Sequence, residues 1–303
     1  MIETVGQVVV LSLIAGGIYG LFAVGVVLVY RGTGALNFGQ GEMGTLGLYA
    51  AWYVDTELGL PWIAGAVAAI AVAAALGVGF EAVFLRPMVE ASRVSVAVAT
   101  VGLLLFLVAF ETKYLGGASP RPIEPPIDAA GVRMFGIVVS PTQMLALVLT
   151  VAVGVGLTTA LRRTDFGLGV LAAAQDPVAT RLVGVPLRRV SSFVWGTGAA
   201  VSALGALFIA PTVGFVTPGY ATVLFLSGLT AAVVGGLTSL PGAFAGGMVV
   251  ALVETTVARV FQGTAIGDVR YLAVLLVLLA VLVLRPQGIV AGLSLRRHAG
   301  SGA

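Results

Sequence analysis

Cysteine is absent from this 303-residue chain, which excludes disulfides and thiol chemistry and leaves the redox compartment open. Histidine occurs once, at His298 in a polar tail, so no imidazole metal site or histidine-based triad can form within the apolar segments. The single lysine, Lys113, does not follow a glycine-rich loop, which removes a P-loop and with it ATP hydrolysis by this chain. Clustered acidic ligands are missing too, so an enzyme is not expected. Charge is scarce: 10% of residues are charged, against about 25% in soluble domains. The net charge of +3 is carried almost wholly by arginine and reads as a topology signal, with no argument for nucleic acid.

What fills the chain instead is hydrocarbon. Hydrophobic residues make up 59% and mean hydropathy is +1.09, values of an all-α integral membrane protein with a single membrane domain over residues 1–303. Helices are the only open-chain way to satisfy a backbone in lipid. Apolar runs of spanning length cover Val5 to Tyr30, Trp62 to Leu85, Val94 to Phe110, Ile137 to Leu161 and Val190 to Pro211. Further spans are expected near Tyr220 to Leu237, Gly242 to Gln262 and Gly267 to Leu284. The first run is preceded by Glu3 and no basic residue, and is too long for a signal peptide, so it reads as a retained span.

Leu36 to Val54 differs, because it opens on "NFGQGEMG", polar and rich in glycine, and reads as a broken or re-entrant span. Counted as a full crossing it brings a bundle of eight helices to nine. Arginine sets the orientation: five lie in the loop Arg162 to Arg189, two between Arg86 and Arg93, and three from Arg285 onward, so these regions belong on the cytoplasmic side. The N-terminus and the proline-rich loop of residues 111–136 then lie outside, and the C-terminus inside. Pro120, Pro122, Pro125 and Pro126 stiffen that outer loop, which reads as a connector or as a surface for a soluble partner. Among 42 glycines, Gly16 with Gly20 and Gly242 with Gly246 have the spacing of close helix packing. Glycine-rich interrupted stretches in both halves hint at an internal two-fold repeat.

Charges inside apolar spans are functional candidates by default, and Glu42, Glu81, Glu254 and Arg259 are those expected here. Glu42 stands with Asn37 and Gln40 in "NFGQGE", where the polar groups either line a solute pathway or cap and satisfy an interrupted helix. Glu81 is within two turns of Arg86 and reads as a side chain reaching toward the cytoplasmic interface. Glu254 and Arg259, five apart, are poorly spaced for pairing on one α-helical face.

The stretch "AAAQDPVATRLVGVPLRR" specifies a short helix over Pro177 to Val183 at both ends. Asp176 is the N-cap, Pro177 the first helical residue, and Gly184 with Pro186 the stop. Two turns are marginal in water, so the segment is expected to dock on something. Val178, Leu182 and Val183 form its apolar face, and lipid beside Arg181 is the competing surface.

The blocks "GGIYGLFAVGVVLVYRGTGALNFGQGEMGTLGLYAAW", "LGGASPRPIEPP", "RRTDFGLGVLAAAQDPVATRLVGVPLRRV" and "AAVVGGLTSLPGAFAGG" resemble, in order and over nearly the whole chain, the permease subunit of the branched-chain amino acid ABC importers. "LNFGQGE" and "AAAQDPVATRLVGV" are the most specific of them. The resemblance implies a type II ABC importer-like bundle with broken segments, in a prokaryotic inner membrane. It implies a coupling helix seated in a groove of an ATPase, with Asp176, Pro177, Ala179, Leu182 and Gly184 on the motif and Arg181 beside them. It further implies two cytoplasmic ATPase subunits holding ATP and Mg, a second paralogous permease, an extracytoplasmic substrate-binding protein and surrounding lipid, with no cofactor on this chain itself. Leu171 stands where the family commonly has arginine, and Arg31 where it has a small residue. Related permeases are linked with urea and short-chain amides as well, so the substrate stays open. The rival classes are an ion- or proton-coupled secondary transporter using Glu42 or Glu254, and a non-transporting membrane scaffold.

Overall fold

The computed structural model describes residues 2–88, 91–115, 117, 119–127, 129–261, 269–285 and 288–289. In chain order the elements are α1 (Ile2–Thr33), α2 (Gln40–Trp52), α3 (Trp62–Phe80), α4 (Arg93–Tyr114), β1 (Arg121–Pro122), β2 (Val132–Met134) and β3 (Ile137–Val139). They continue with α5 (Pro141–Arg163), α6 (Asp165–Gln175), α7 (Pro177–Leu182), α8 (Leu187–Val213), β4 (Phe215–Val216), α9 (Tyr220–Gly235), α10 (Leu240–Val260) and α11 (Arg270–Leu284). Side-chain caps mark several starts, with Ser92, Thr164 and Ser239 accepting from the backbone N–H groups of Ser95, Gly167 and Gly242.

Among the described residues, 6 helices are long and apolar enough to cross a membrane, and α9 and the described part of α11 are shorter apolar helices. The 16 residues of α9 reach about 24 Å at 1.5 Å per residue, short of a hydrocarbon core of about 30 Å. The outward residues of α4, including Val94, Val98, Leu105 and Phe106, are exposed and apolar, the surface a helix turns toward lipid.

The chain divides into two compact units: residues 1–27, 127–154 and 226–303 form one, and residues 28–126 and 155–225 the other. In the second, α8 packs on α2 and α3. The face that α3 buries is Gly65, Ala69, Ala73 and Gly77, a ridge of small residues four apart that lets the neighbouring backbones approach. In the first unit, α10 presents glycine on two sides. A Cβ built on Gly247 would lie 2.5 Å from the Gly20 nitrogen of α1, and one on Gly246 only 2.1 Å from the Ala231 oxygen of α9. Gly16 faces Met248 and Gly242 faces Gly235, so both sequence-identified glycine pairs lie at helix contacts.

Several boundaries differ from expectation. Ile137 to Val139 is not the start of a span but strand β3, paired antiparallel with β2 across a turn at Phe135 and Gly136, both at positive φ. The loop expected over residues 111–136 begins later, since α4 runs to Tyr114, with Phe106, Phe110 and Tyr114 laddered at ring separations of 6.3 and 5.1 Å. Its proline-rich part is tied down: β1 pairs antiparallel with β4, and Ile123 N–H donates to Gly214. The expected loop Arg162 to Arg189 is largely helical, because α5 continues to Arg163 and Thr164 immediately caps α6. Gly267, at the expected start of the last span, Arg296, Arg297 and His298 lie outside the described residues.

Candidate functional site: a broken helix and a capped short helix

The helical chain breaks between α1 and α2. Gly34 turns at φ +70 after Thr33, and regular helix resumes only at Gln40. Asn37 accepts from Gln40 N–H at 3.3 Å within the break, and Leu36 O lies 3.2 Å from Thr100 Oγ1 of α4, whose one proton is shared with Ala97 O at 2.8 Å. From Gln40 the helix continues past Trp52 through a π-turn, Tyr53–Glu57, so a break followed by 18 helical residues replaces the expected span Leu36 to Val54.

The three polar residues of "NFGQGE" are brought together and buried, yet none caps α2: its N-cap is Gly39, without a side-chain bond. Gln40 Nε2 instead donates to Ser202 Oγ of α8 at 2.8 Å, and Glu42 Oε1 accepts from Thr222 Oγ1 of α9. Asn37 Nδ2 approaches Met43 Sδ at 3.7 Å. Thr45, one turn on, accepts the otherwise orphaned N–H of Ala221 in the first turn of α9 at 3.0 Å. The bonds of Gln40, Glu42 and Thr45 cross to other helices, so these residues act as ties between elements, whereas Asn37 meets Met43 of α2 itself.

The sequence reading missed one member. Glu111, assigned to an outer loop, sits in the last turn of α4 with 0% exposure, as does Glu42. Its Oε2 accepts from Gly219 N–H at 3.2 Å, and its carboxyl lies beside that of Glu42. The signal that could have found it is the aromatic ladder at spacing four, which carries the helix past Phe110.

Glu81 does not reach out to solvent as expected. It is 2% exposed, bridges Arg86 Nη2 at 2.9 Å and accepts from Ser192 Oγ of α8 at 2.8 Å. Five residues separate the pair, poor spacing for an α-helix, but Glu81–Leu85 form a π-turn with Arg86 N–H bonded to Glu81 O, which brings such residues into line. The Arg86 end, with Arg93, Arg181 and Arg188, lines an open cleft that also reaches Gly34 and Ala35 at the helix break. Arg259 donates to Gln7 Oε1 at 2.8 Å, and Glu254 is buried on α10.

The short basic helix forms nearly as expected, one residue shorter. Asp176 Oδ1 accepts from Val178 and Ala179 N–H at 2.9 and 3.0 Å, Pro177 is the first residue, Val183 the C-cap, and Gly184 has φ +88. Thr180 is its buried anchor, whereas Val178, Leu182 and Val183 are 71%, 83% and 79% exposed. Three large apolar side chains thus project from a six-residue helix whose ends are closed.

The family model for the branched-chain amino acid transport system permease component matches residues 8–284. The chain belongs to this permease family. The permease is 31% identical over 294 residues to the high-affinity branched-chain amino acid transport system permease protein BraD of Pseudomonas aeruginosa, covering 93% of this chain and 94% of that one. It is 27% identical to LivH of Escherichia coli K12 over 90% of this chain and 91% of the relative, and 25% identical to a probable LivH of Methanocaldococcus jannaschii over 95% and 94%. A chain of the PsaBC complex of Streptococcus pneumoniae with Fab superposes at TM-score 0.51 and 13% identity, covering 94% of both chains, a likeness of fold. The permease is a multi-pass helical membrane protein of an ABC transport system.

Proposed function

We propose that this permease forms the translocation pathway of an ABC importer for branched-chain amino acids or related small polar solutes, working with a second, paralogous permease. A substrate-binding protein delivers solute at the outer face. Two cytoplasmic ATPases supply the energy, holding ATP and Mg, and Asp176, Pro177, Ala179, Arg181, Leu182 and Gly184 form the coupling helix on which one of them seats. The observation that carries this reading is α7, which closes both its ends and leaves Val178, Leu182 and Val183 projecting. An apolar face that the chain itself leaves uncovered suits a protein groove. For ATP to move solute, the inward and outward states of the permease must bind the closed ATPases with different free energies, and α7 is where that difference is transmitted. Asn37, Gln40 and Glu42 border the pathway at the broken helix.

Uptake of labelled leucine into proteoliposomes holding the complete complex and its binding protein should require ATP on the ATPase side. Uptake driven by an ion or proton gradient without ATP would identify a secondary transporter instead and sink this reading.

Orientation has its own test. In a chain without cysteine, Ser119→Cys should react with a membrane-impermeant maleimide added to intact cells, and Val183→Cys only after the membrane is opened. The reverse pattern would invert the topology read from arginine.

A further inference from the structure

The contact between Glu42 and Glu111 has a hydrogen-bond inventory that a single shared proton closes. Glu42 Oε1 accepts from Thr222 Oγ1, and Glu111 Oε2 accepts from Gly219 N–H at 3.2 Å. Among the described residues, the oxygens left over, Glu42 Oε2 and Glu111 Oε1, are buried and meet no protein donor. The group beside each is the other carboxyl. Two acceptors bond only if a proton lies between them. Leaving both ionised would place two like charges in contact at 0% exposure in a lipid-embedded fold, the arrangement that makes acid pairs retain a proton.

We infer that Glu42 and Glu111 share one proton, so that the pair carries a single negative charge and ties α2 to α4 and α9. The helix ends decide where the proton rests. Glu42 lies in the first turn of α2, where the macrodipole favours an anion, while Glu111 lies in the last turn of α4, where it disfavours one. Glu111 therefore donates through Oε1 to Glu42 Oε2, and every oxygen of the pair is then satisfied. The titratable group acting on both members of the pair is Tyr49 of α2, which Arg121 acts on in turn. This inference stands whether or not solute passes at the broken helix, so the uptake test and the test below can fail separately.

The measurement is the infrared C=O stretch of protonated carboxylic acid in the purified complex at neutral pH, compared with Glu111→Gln and Glu42→Gln. Wild type should show the band. Glu111→Gln should lose it while remaining folded, because a glutamine amide still donates to Glu42 and its carbonyl still accepts from Gly219. Glu111→Ala, which leaves Glu42 Oε2 with no donor, should reduce the folded permease in the membrane several-fold relative to Glu111→Gln. Absence of the band in wild type overturns the inference whatever the variants do. A band unchanged in both glutamine variants belongs to another acid and overturns it equally, as does full tolerance of Glu111→Ala.

Discussion

Replacing Leu182 with aspartate is expected to strip the ATPase subunits from the purified permease while leaving the amount of permease in the membrane unchanged. Leu182 is 83% exposed on α7, so the substitution removes almost nothing from this chain's own packing. In a docked complex the same position is buried, and two costs then add. The transfer free energy of a leucine, roughly 1.5 to 3 kcal/mol, is lost, and an unpaired carboxylate must be desolvated as well. A combined loss above roughly 3 kcal/mol weakens affinity more than about a hundredfold, since each 1.4 kcal/mol is a factor of ten. Co-purification of the ATPases, measured beside permease abundance, reads this directly. Gly184→Val should weaken docking too, through the backbone: the φ of +88 disfavours a β-branched residue, although a Cβ there would meet nothing within 4 Å. Retention of the ATPases and normal uptake in the Leu182 variant would mean that α7 lies on lipid. A gradient-driven carrier would not retain ATPases even before mutation, so the experiment also separates the two transport classes.

Gly246→Val is expected to have the opposite profile, with the permease itself lost from the membrane. The added Cβ would meet the Ala231 oxygen at 2.1 Å and the Gly235 nitrogen at 2.8 Å. Both are backbone atoms, so no side chain can rotate away and α9 and α10 must separate. Overpacking a well-fitted core costs roughly 1 to 3 kcal/mol when side chains can adjust, and this site has no such adjustment. The other face of α10 is closed as well, because Gly247 sits against α1. Membrane abundance at least tenfold below wild type is the expected result, by quantitative blotting of the membrane fraction. Normal abundance would show that these helices part easily. Gly79→Val is the control, a glycine in α3 whose Cβ would meet nothing within 4 Å.

The two substitutions illustrate how unevenly the sequence discloses its structure. The capped helix α7 was legible because its determinants are local: an aspartate whose side chain reaches two N–H groups, a proline at the first position, and a glycine that turns left. The long spans were legible for a related reason, since lipid demands about 20 apolar residues in succession and leaves few alternatives. The break before α2 was visible too, as polar residues and glycines intruding on an apolar run.

Other features depended on which elements meet. Glycine spacing suggested close packing, but only the fold shows that α10 uses adjacent glycines toward two different helices, because a one-residue step rotates the contact face by about 100°. Glu81 read as a side chain reaching toward the interface, whereas a π-turn places it beside Arg86 within the fold. For Asn37, Gln40 and Glu42 the sequence left a choice between capping and lining, and it gave no sign that Gln40 would engage α8 or Glu42 α9. For Glu111 the aromatic ladder could disclose the helix but not the company: Glu42 is 69 positions away, and its backbone partner Gly219 lies a further 108 positions along the chain. Short-range chemistry thus determined where helices begin, end and enter the membrane, because caps and hydropathy act within a few residues. The company kept by each buried polar group was decided by tertiary packing, because hydrogen bonds between distant helices leave no periodicity in the chain that makes them.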